Sequence, residues 1–163
     1  MCHLFGHAAS TAECRIQSTS FEGCTGLVEL TLHHMPGLTM DPRCFCALSA
    51  LTELTIDSCR LLAVPLNSAQ MTALRRLDLR DNQDLVIDET TTSMLRNLKQ
   101  LRTLNVAHNA TKAYDARMKH RVQALFDLQA AFHREGLHLT VQSDPASAEK
   151  TFEQKWAHFG MLL

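Results

Sequence analysis

Histidine, cysteine and carboxylate side chains are the groups in this chain that could bind a metal or act as nucleophiles. The adjacent pair His33 and His34, with Asp57 in the following segment, comes nearest to a zinc-binding set. Zinc needs three or four converging ligands, whereas adjacent residues of a strand point to opposite faces. Cys44 and Cys46 are separated by one residue and do not form a C-x-x-C pair. The sequence therefore predicts neither a metal site nor a redox centre.

The cysteines and the N-terminus suggest a cellular compartment. All six cysteines lie in the first 59 residues: Cys2, Cys14, Cys24, Cys44, Cys46 and Cys59. The start of the chain lacks the pattern of a secretory signal, and no apolar run reaches the roughly 18 residues of a spanning helix. We therefore expect an intracellular protein, cytoplasmic or nuclear or within an organelle, whose cysteines are mostly reduced and buried or half-buried. A disulfide framework is the less favoured alternative.

Sequence motifs of catalytic sites are missing. The chain has no G-x-S-x-G, H-E-x-x-H, protein-kinase signature or Gly-rich phosphate loop, and six glycines leave little material for a phosphate cradle. The formal net charge of -1 gives no general attraction to nucleic acid or to an anionic membrane. We therefore predict a protein that is not an enzyme and uses no cofactor.

Leucines recur in a fixed frame along the middle of the chain. The frame L-x-x-L-x-L, with Ile or Val allowed at its third position, begins at Leu27, Leu51, Leu74 and Leu101. The position three residues beyond each frame holds Met35, Cys59, Asn82 and Asn109 in turn. A second apolar register precedes the frames, as in Phe45-x-x-Leu48-x-x-Leu51. Two registers that agree over four copies indicate a repeat architecture.

This pattern resembles the leucine-rich-repeat family, in which L-x-x-L-x-L-x-x-N/C-x-L recurs at roughly 20 to 29 residues. The resemblance implies an α/β solenoid with a short, curved parallel sheet on the concave side, loops and helices on the convex side, and C-terminal capping helices. One repeat cannot bury its own leucines, so neighbouring copies stack and share a core. An Asn amide at the fixed offset can satisfy backbone groups where the strand ends, and the sulfur of Cys59 can fill the same place.

The expected organisation has four parts. They are an N-terminal cap or eroded first repeat (1–26), four repeats (27–111), a capping helix plus last strand (112–142) and a tail helix (143–163). Gly136 is expected to end the capping helix, and the last strand is expected at residues 137–141. The tail helix either caps the open end of the stack, which we prefer, or docks into a groove of a partner.

The residues between the inward leucines are predicted to form a binding face on the concave side. The residues assigned to this face are Glu29, Thr31, His33, Glu53, Thr55, Asp57, Arg76, Asp78, Arg80, Thr103, Asn105 and His108. They align in columns across neighbouring strands. On the predicted last strand, His138 is expected beside Asn105. Arg76 and Arg80 are the predicted anchors, because arginine is enriched at binding hot spots. Alternatively the charges pair across strands, as Glu53 with Arg76, and the face is only solvated.

The favoured function is a protein-binding scaffold or adaptor, alone or as a subunit of a larger assembly. One alternative is a ribonucleoprotein subunit that contacts RNA through a basic part of the capping helix: Lys112, Arg117, Lys119, His120 and Arg121. A solvated outer face of that helix is the simpler interpretation of those residues. The other alternative is a substrate receptor or an inhibitor-type regulator. Nucleic acid is a partner only in the ribonucleoprotein, and a membrane in none of these.

Overall fold

A computed structural model describes residues 1–5, 14–66, 70–107, 109, 124, 127–136 and 138–142. The strands are β1 (Cys2–Phe5), β2 (Cys14–Ile16), β3 (Glu29–His33), β4 (Leu38–Met40), β5 (Glu53–Asp57), β6 (Arg76–Asp78), β7 (Thr103–Asn105) and β8 (Thr140–Gln142). Helix α1 is Glu89–Arg96. Residues 127–134 form a second described helix, α2, and residue 124 is also helical. The predicted tail helix and the predicted start of the capping helix lie outside these ranges.

Six of the strands form one parallel sheet in the order β1-β3-β5-β6-β7-β8. Leu30, Leu54, Leu77 and Leu104 stand side by side in consecutive strands. Each strand therefore lies beside the strand of the preceding copy, and the chain winds as a solenoid of stacked turns. The prediction of stacked parallel strands around one core is confirmed.

The inward leucines of the repeated frames fill a continuous core. Leu51, Leu54, Leu74, Leu77, Leu101 and Leu104 have no exposed surface. Burial of one such side chain is worth roughly 1.5–3 kcal/mol, so these positions dominate the packing energy. The second register is also buried at Phe45 and Leu48, but Cys24 is exposed at the corresponding place of the first copy. The backbone turns at Gly23, whose φ is +84°, immediately before Cys24.

Two strands near the N-terminus lie upstream of the first leucine frame. Strand β1 pairs with β3 and places Leu4 opposite Leu32, so the sheet begins earlier than the frames indicate. Strands β2 and β4 form a separate two-stranded parallel sheet with Ile16 opposite Met40. Ile16 stands five residues before Phe21 and Met40 five residues before Phe45, so the two strands occupy equivalent places in successive copies.

The last strand pairs in a different register from the predicted one. We expected a strand at residues 137–141 with His138 beside Asn105, but β8 places Gln142 beside Asn105. The difference is an even number of residues, so the same side chains alternate inward and outward in both registers. The alternation of apolar residues could therefore not distinguish them.

Helix α2 packs against the C-terminal end of the core. Leu128 and Phe132 are buried, and Gln129 Nε2 donates to Leu139 O at 3.1 Å. Gly136, with φ of +70°, ends the helix as predicted, and its N–H donates to His133 O at 3.0 Å.

Within the described residues, no helix has the length and apolar content to cross a membrane.

Candidate functional site

The outward residues of β3, β5, β6 and β7 form one surface, which we call the strand face. Its first column consists of Glu29, Glu53, Arg76 and Thr103, and its second of Thr31, Thr55, Asp78 and Asn105. In the third column His33 pairs with Asp57, and Arg80 follows the end of β6. These placements agree with the predicted columns. His108 lies outside the described residues.

A residue with left-handed backbone follows each of the strands β3, β5 and β6. His34, Ser58 and Asp81 have φ values of 55°, 54° and 57°. Each N–H donates to a carbonyl of the next repeat, namely His34 to Asp57 (3.2 Å), Ser58 to Arg80 (3.3 Å) and Asp81 to Ala107 (3.0 Å). Because the backbone turns at His34, the side chains of His33 and His34 meet, whereas an extended strand would direct them apart.

Asp57 is a buried carboxylate within the strand face, with 3% of its surface exposed. His33 Nδ1 is hydrogen-bonded to Asp57 Oδ1, and His34 Nδ1 lies 2.5 Å from His33 Nε2. Arg80 Nε lies 3.6 Å from Asp57 Oδ2. A buried carboxylate is costly unless it is paired, and these neighbours pair it. Among the described residues, no group of three or more His, Cys, Asp and Glu side chains could hold a metal ion.

Arg76, Arg80, Glu53 and Asp78 also find partners within the strand face. Arg76 Nη1 lies 3.8 Å from Glu53 Oε2, and Arg80 Nε lies 3.8 Å from Asp78 Oδ2. Asn105 Nδ2 donates to Asp78 Oδ2 at 3.0 Å. The two arginine side chains remain 56% and 47% exposed, and exposed pairs contribute only about 0–1 kcal/mol each. The two predicted anchors are thus paired within the face yet accessible to a partner.

Behind the strand face, the side-chain amide of Asn82 joins two neighbouring turns of the solenoid. Its Nδ2 donates to Ile56 O at 2.8 Å and to Leu79 O at 2.9 Å. Its Oδ1 accepts from the backbone N–H groups of Cys59 at 3.0 Å and Leu61 at 3.1 Å. Asn82 is fully buried, so it satisfies backbone groups that water cannot reach.

Asn109 and Cys59 occupy the same place in the neighbouring copies. Asn109 Nδ2 donates to Leu79 O at 2.7 Å, and Asn109 Oδ1 accepts from Asn82 N at 2.6 Å. The Sγ of Cys59 donates to Leu32 O at 3.7 Å, which is the longer sulfur equivalent of the same contact. The predicted role of Asn and Cys at the fixed offset is confirmed. This Asn/Cys ladder holds the strand ends that carry the third column.

The buried thiols are poor nucleophiles. Burial, with a smaller effect of the Asp41 carboxylate, raises the pKa of Cys44 from 9.0 to about 12. Burial also raises the pKa of Cys59 from 9.0 to about 11. Both thiols are therefore protonated at neutral pH, and a thiol reacts as its thiolate. All six cysteines are free, and Cys24 is exposed.

Comparison of the chain with protein-family models gives no match, and comparison with curated proteins gives none.

Proposed function

We propose that this chain is a leucine-rich-repeat protein that binds another protein on its strand face and does not catalyse a reaction. The family assignment is supported by the repeated leucine frames and by the buried Asn/Cys ladder. The function rests on one observation: consecutive strands in register present continuous columns of polar side chains, of which Asp57 and Asn105 are buried and the other described members are half-buried or exposed. Solenoids bind partners on surfaces of this kind.

The charges of the strand face suit a protein partner. In one column Glu29 and Glu53 are followed by Arg76, so acidic and basic groups occur together on neighbouring strands about 4.8 Å apart. A mixed pattern of this kind is complementary to another mixed protein surface. The internal pairs of Arg76 and Arg80 also hold these long side chains in place, which reduces the entropy lost on binding. An adaptor or a subunit of a larger assembly would use such a preformed surface.

Exchange of one internal ion pair tests the proposal without breaking the fold. The Glu53→Arg/Arg76→Glu variant keeps two opposite charges opposite each other but reverses the order that a partner meets. The matched control, Arg15→Glu/Glu22→Arg, makes the same two substitutions at exposed positions outside the strand face. Both variants keep the net charge of the wild type.

Quantitative affinity purification from cells, with mass spectrometry, compares the three proteins. We expect at least one protein to be captured by the wild type and by the control variant, and to fall about tenfold or more with the exchanged pair. Circular dichroism checks that both variants are folded. Equal capture by all three proteins would show that the strand face is not the binding surface.

A further inference from the structure

Arg75 and Arg102 stand next to each other at the edge where β6 and β7 begin. The backbone N–H of Arg102 donates to Arg75 O at 2.8 Å, and the strands that follow are paired in register. Adjacent strands lie about 4.8 Å apart, so the two residues are neighbours across the sheet. Both residues are exposed. Neither residue belongs to the predicted binding set.

These two arginines have no carboxylate partner among the described residues, unlike the cations around them. Arg76 and Arg80 are paired with carboxylates of the strand face. Lys99, in the turn before β7, is paired with Glu135 at 2.6 Å. The positive charge at this edge therefore comes from Arg75 and Arg102.

Backbone carbonyls orient one of the two guanidinium groups. Arg102 Nη1 donates to Lys99 O at 3.2 Å and to Leu101 O at 3.1 Å. Neutral carbonyl oxygens fix the group without cancelling its charge, and the Nε and Nη2 donors stay available for a ligand. A side chain that is already oriented loses less entropy when it binds.

We propose that Arg75 and Arg102 bind an acidic peptide segment of the protein partner, and that this edge, which we call the arginine edge, is its anchor. The inference rests on the proposed function and adds the chemistry of the contact. Guanidinium groups bind carboxylates with paired, charge-assisted hydrogen bonds, so two adjacent ones fit a segment with two nearby Asp or Glu residues.

The surrounding charges favour a peptide over a nucleic acid. Glu29 and Glu53 occupy the first column on the two strands that continue the same edge. A long polyanion that followed the arginine edge would meet these carboxylates and be repelled. A short acidic segment spans only the two strands that carry the arginines.

Titration of the full 15N-labelled chain with a hexaglutamate peptide tests the inference by NMR, with hexaglutamine as the neutral peptide. We expect hexaglutamate to shift the Nε–Hε signals of Arg75 and Arg102 most strongly and saturably, and hexaglutamine to shift neither. The Arg75→Gln/Arg102→Gln variant should weaken hexaglutamate binding by about tenfold or more. The control Arg15→Gln/Arg43→Gln removes the same charge elsewhere and should stay within about twofold.

Three outcomes would overturn the inference. One is the absence of hexaglutamate binding, or shifts spread evenly over all arginines. Another is an equal loss in the control variant. The third is tighter binding of a short oligothymidylate through the same two arginines, which would assign the arginine edge to nucleic acid. If the Glu53→Arg/Arg76→Glu exchange abolishes partner capture while Arg75→Gln/Arg102→Gln leaves it unchanged, the anchor is wrong and the proposed function stands.

Discussion

Cys59 and Asn82 hold the same place in successive repeats, and Asn82 Oδ1 accepts the backbone N–H of Cys59 at 3.0 Å. Asn109 supports Asn82 in the same way. Toward the N-terminus the amide is replaced by a thiol and then by the thioether of Met35, which cannot donate a hydrogen bond. The Asn/Cys ladder therefore becomes weaker from the C-terminal to the N-terminal copies.

Replacement of Asn82 by Ala should lower the free energy of unfolding by about 3–5 kcal/mol. The change removes hydrogen bonds to several backbone groups and leaves those groups buried without partners, at roughly 1–3 kcal/mol for an unsatisfied group. Urea denaturation followed by circular dichroism measures the effect. Gln83→Ala, at the exposed neighbouring position, is the control and should change stability by less than about 0.5 kcal/mol. A loss below about 1.5 kcal/mol for Asn82→Ala would contradict the role of the ladder.

Replacement of Cys59 by Asn should stabilise the protein by about 0.5–1.5 kcal/mol. An amide would donate to Leu32 O and Asp57 O, which the thiol reaches only with weak bonds, at 3.7 and 3.1 Å. Cys59→Ala removes the donor and should be less stable than the wild type by about 1 kcal/mol. The three proteins are compared by urea denaturation. An Asn variant less stable than the Ala variant would show that the site cannot accept an amide.

The buried thiols should make stability fall at alkaline pH. Below pH 9 both thiols are protonated whether the chain is folded or unfolded. Between pH 9 and about 11, thiols of the unfolded chain ionise while those of Cys44 and Cys59 do not, so the free energy of unfolding decreases as pH rises. Urea denaturation between pH 8 and 11 should give a flatter dependence for Cys44→Ala. If the free energy of unfolding of that variant fell with pH as steeply as that of the wild type, the raised pKa of Cys44 would be contradicted.

Alkylation at pH 8 provides a second measurement on the cysteines. Iodoacetamide should modify Cys24 much faster than Cys44 and Cys59, because Cys24 is exposed and the other two are buried with raised pKa values. Peptide mass spectrometry at increasing times follows each site. Equal rates for the three thiols in the native protein would mean that the described core is not formed.

Asp88 caps helix α1, and its replacement by Ala should cost about 1 kcal/mol. Asp88 Oδ1 accepts from Thr91 N at 2.8 Å, and this bond lowers the pKa of the carboxyl. A lowered pKa means that the contribution is present above the unfolded-state pKa and is lost as pH falls through the folded-state pKa. Asp88→Asn keeps the acceptor but does not titrate, so its stability should exceed that of the wild type increasingly below pH 4. Urea denaturation at several pH values gives the free energy of unfolding of both proteins. The same pH dependence in both would contradict the role of the Asp88 carboxylate as the cap.

Left-handed backbone at Ser58 should make this position sensitive to the shape of the side chain. Its φ is 54°, a conformation that glycine adopts freely and a β-branched residue does not. We expect Ser58→Gly to unfold at the same temperature as the wild type or higher, and Ser58→Val to lose about 1–2 kcal/mol. Thermal denaturation compares them. A Val variant as stable as the Gly variant would exclude the described turn.

The sequence predicts the fold best at positions whose side chains are large and point into the core. The leucines of the four frames determine which strands are neighbours, because any other pairing would expose them, and the first two columns follow from that pairing. Strand β1 has no complete frame, so only the structure places Leu4 beside Leu32. The predicted register of β8 was wrong because a shift by an even number of residues leaves the same side chains pointing inward.

The charges of the site could be predicted only in part. The register alone brings Glu53 and Arg76 together, and their pairing was foreseen as an alternative. Whether a particular guanidinium finds a carboxylate depends on side-chain conformations that periodicity does not encode. Arg75 and Arg102 therefore stand out only when the partners of Arg76 and Arg80 are known.

In the main sheet, each strand from β3 to β7 pairs with two neighbours. Duplication of one turn, such as residues 51–73, would thus insert a rung without creating a new kind of contact, and would extend the stack by about 4.8 Å. The area of the strand face can thus increase or decrease by whole turns while the structure of the other turns stays the same. Length is therefore the property of this architecture that gene duplication changes most easily.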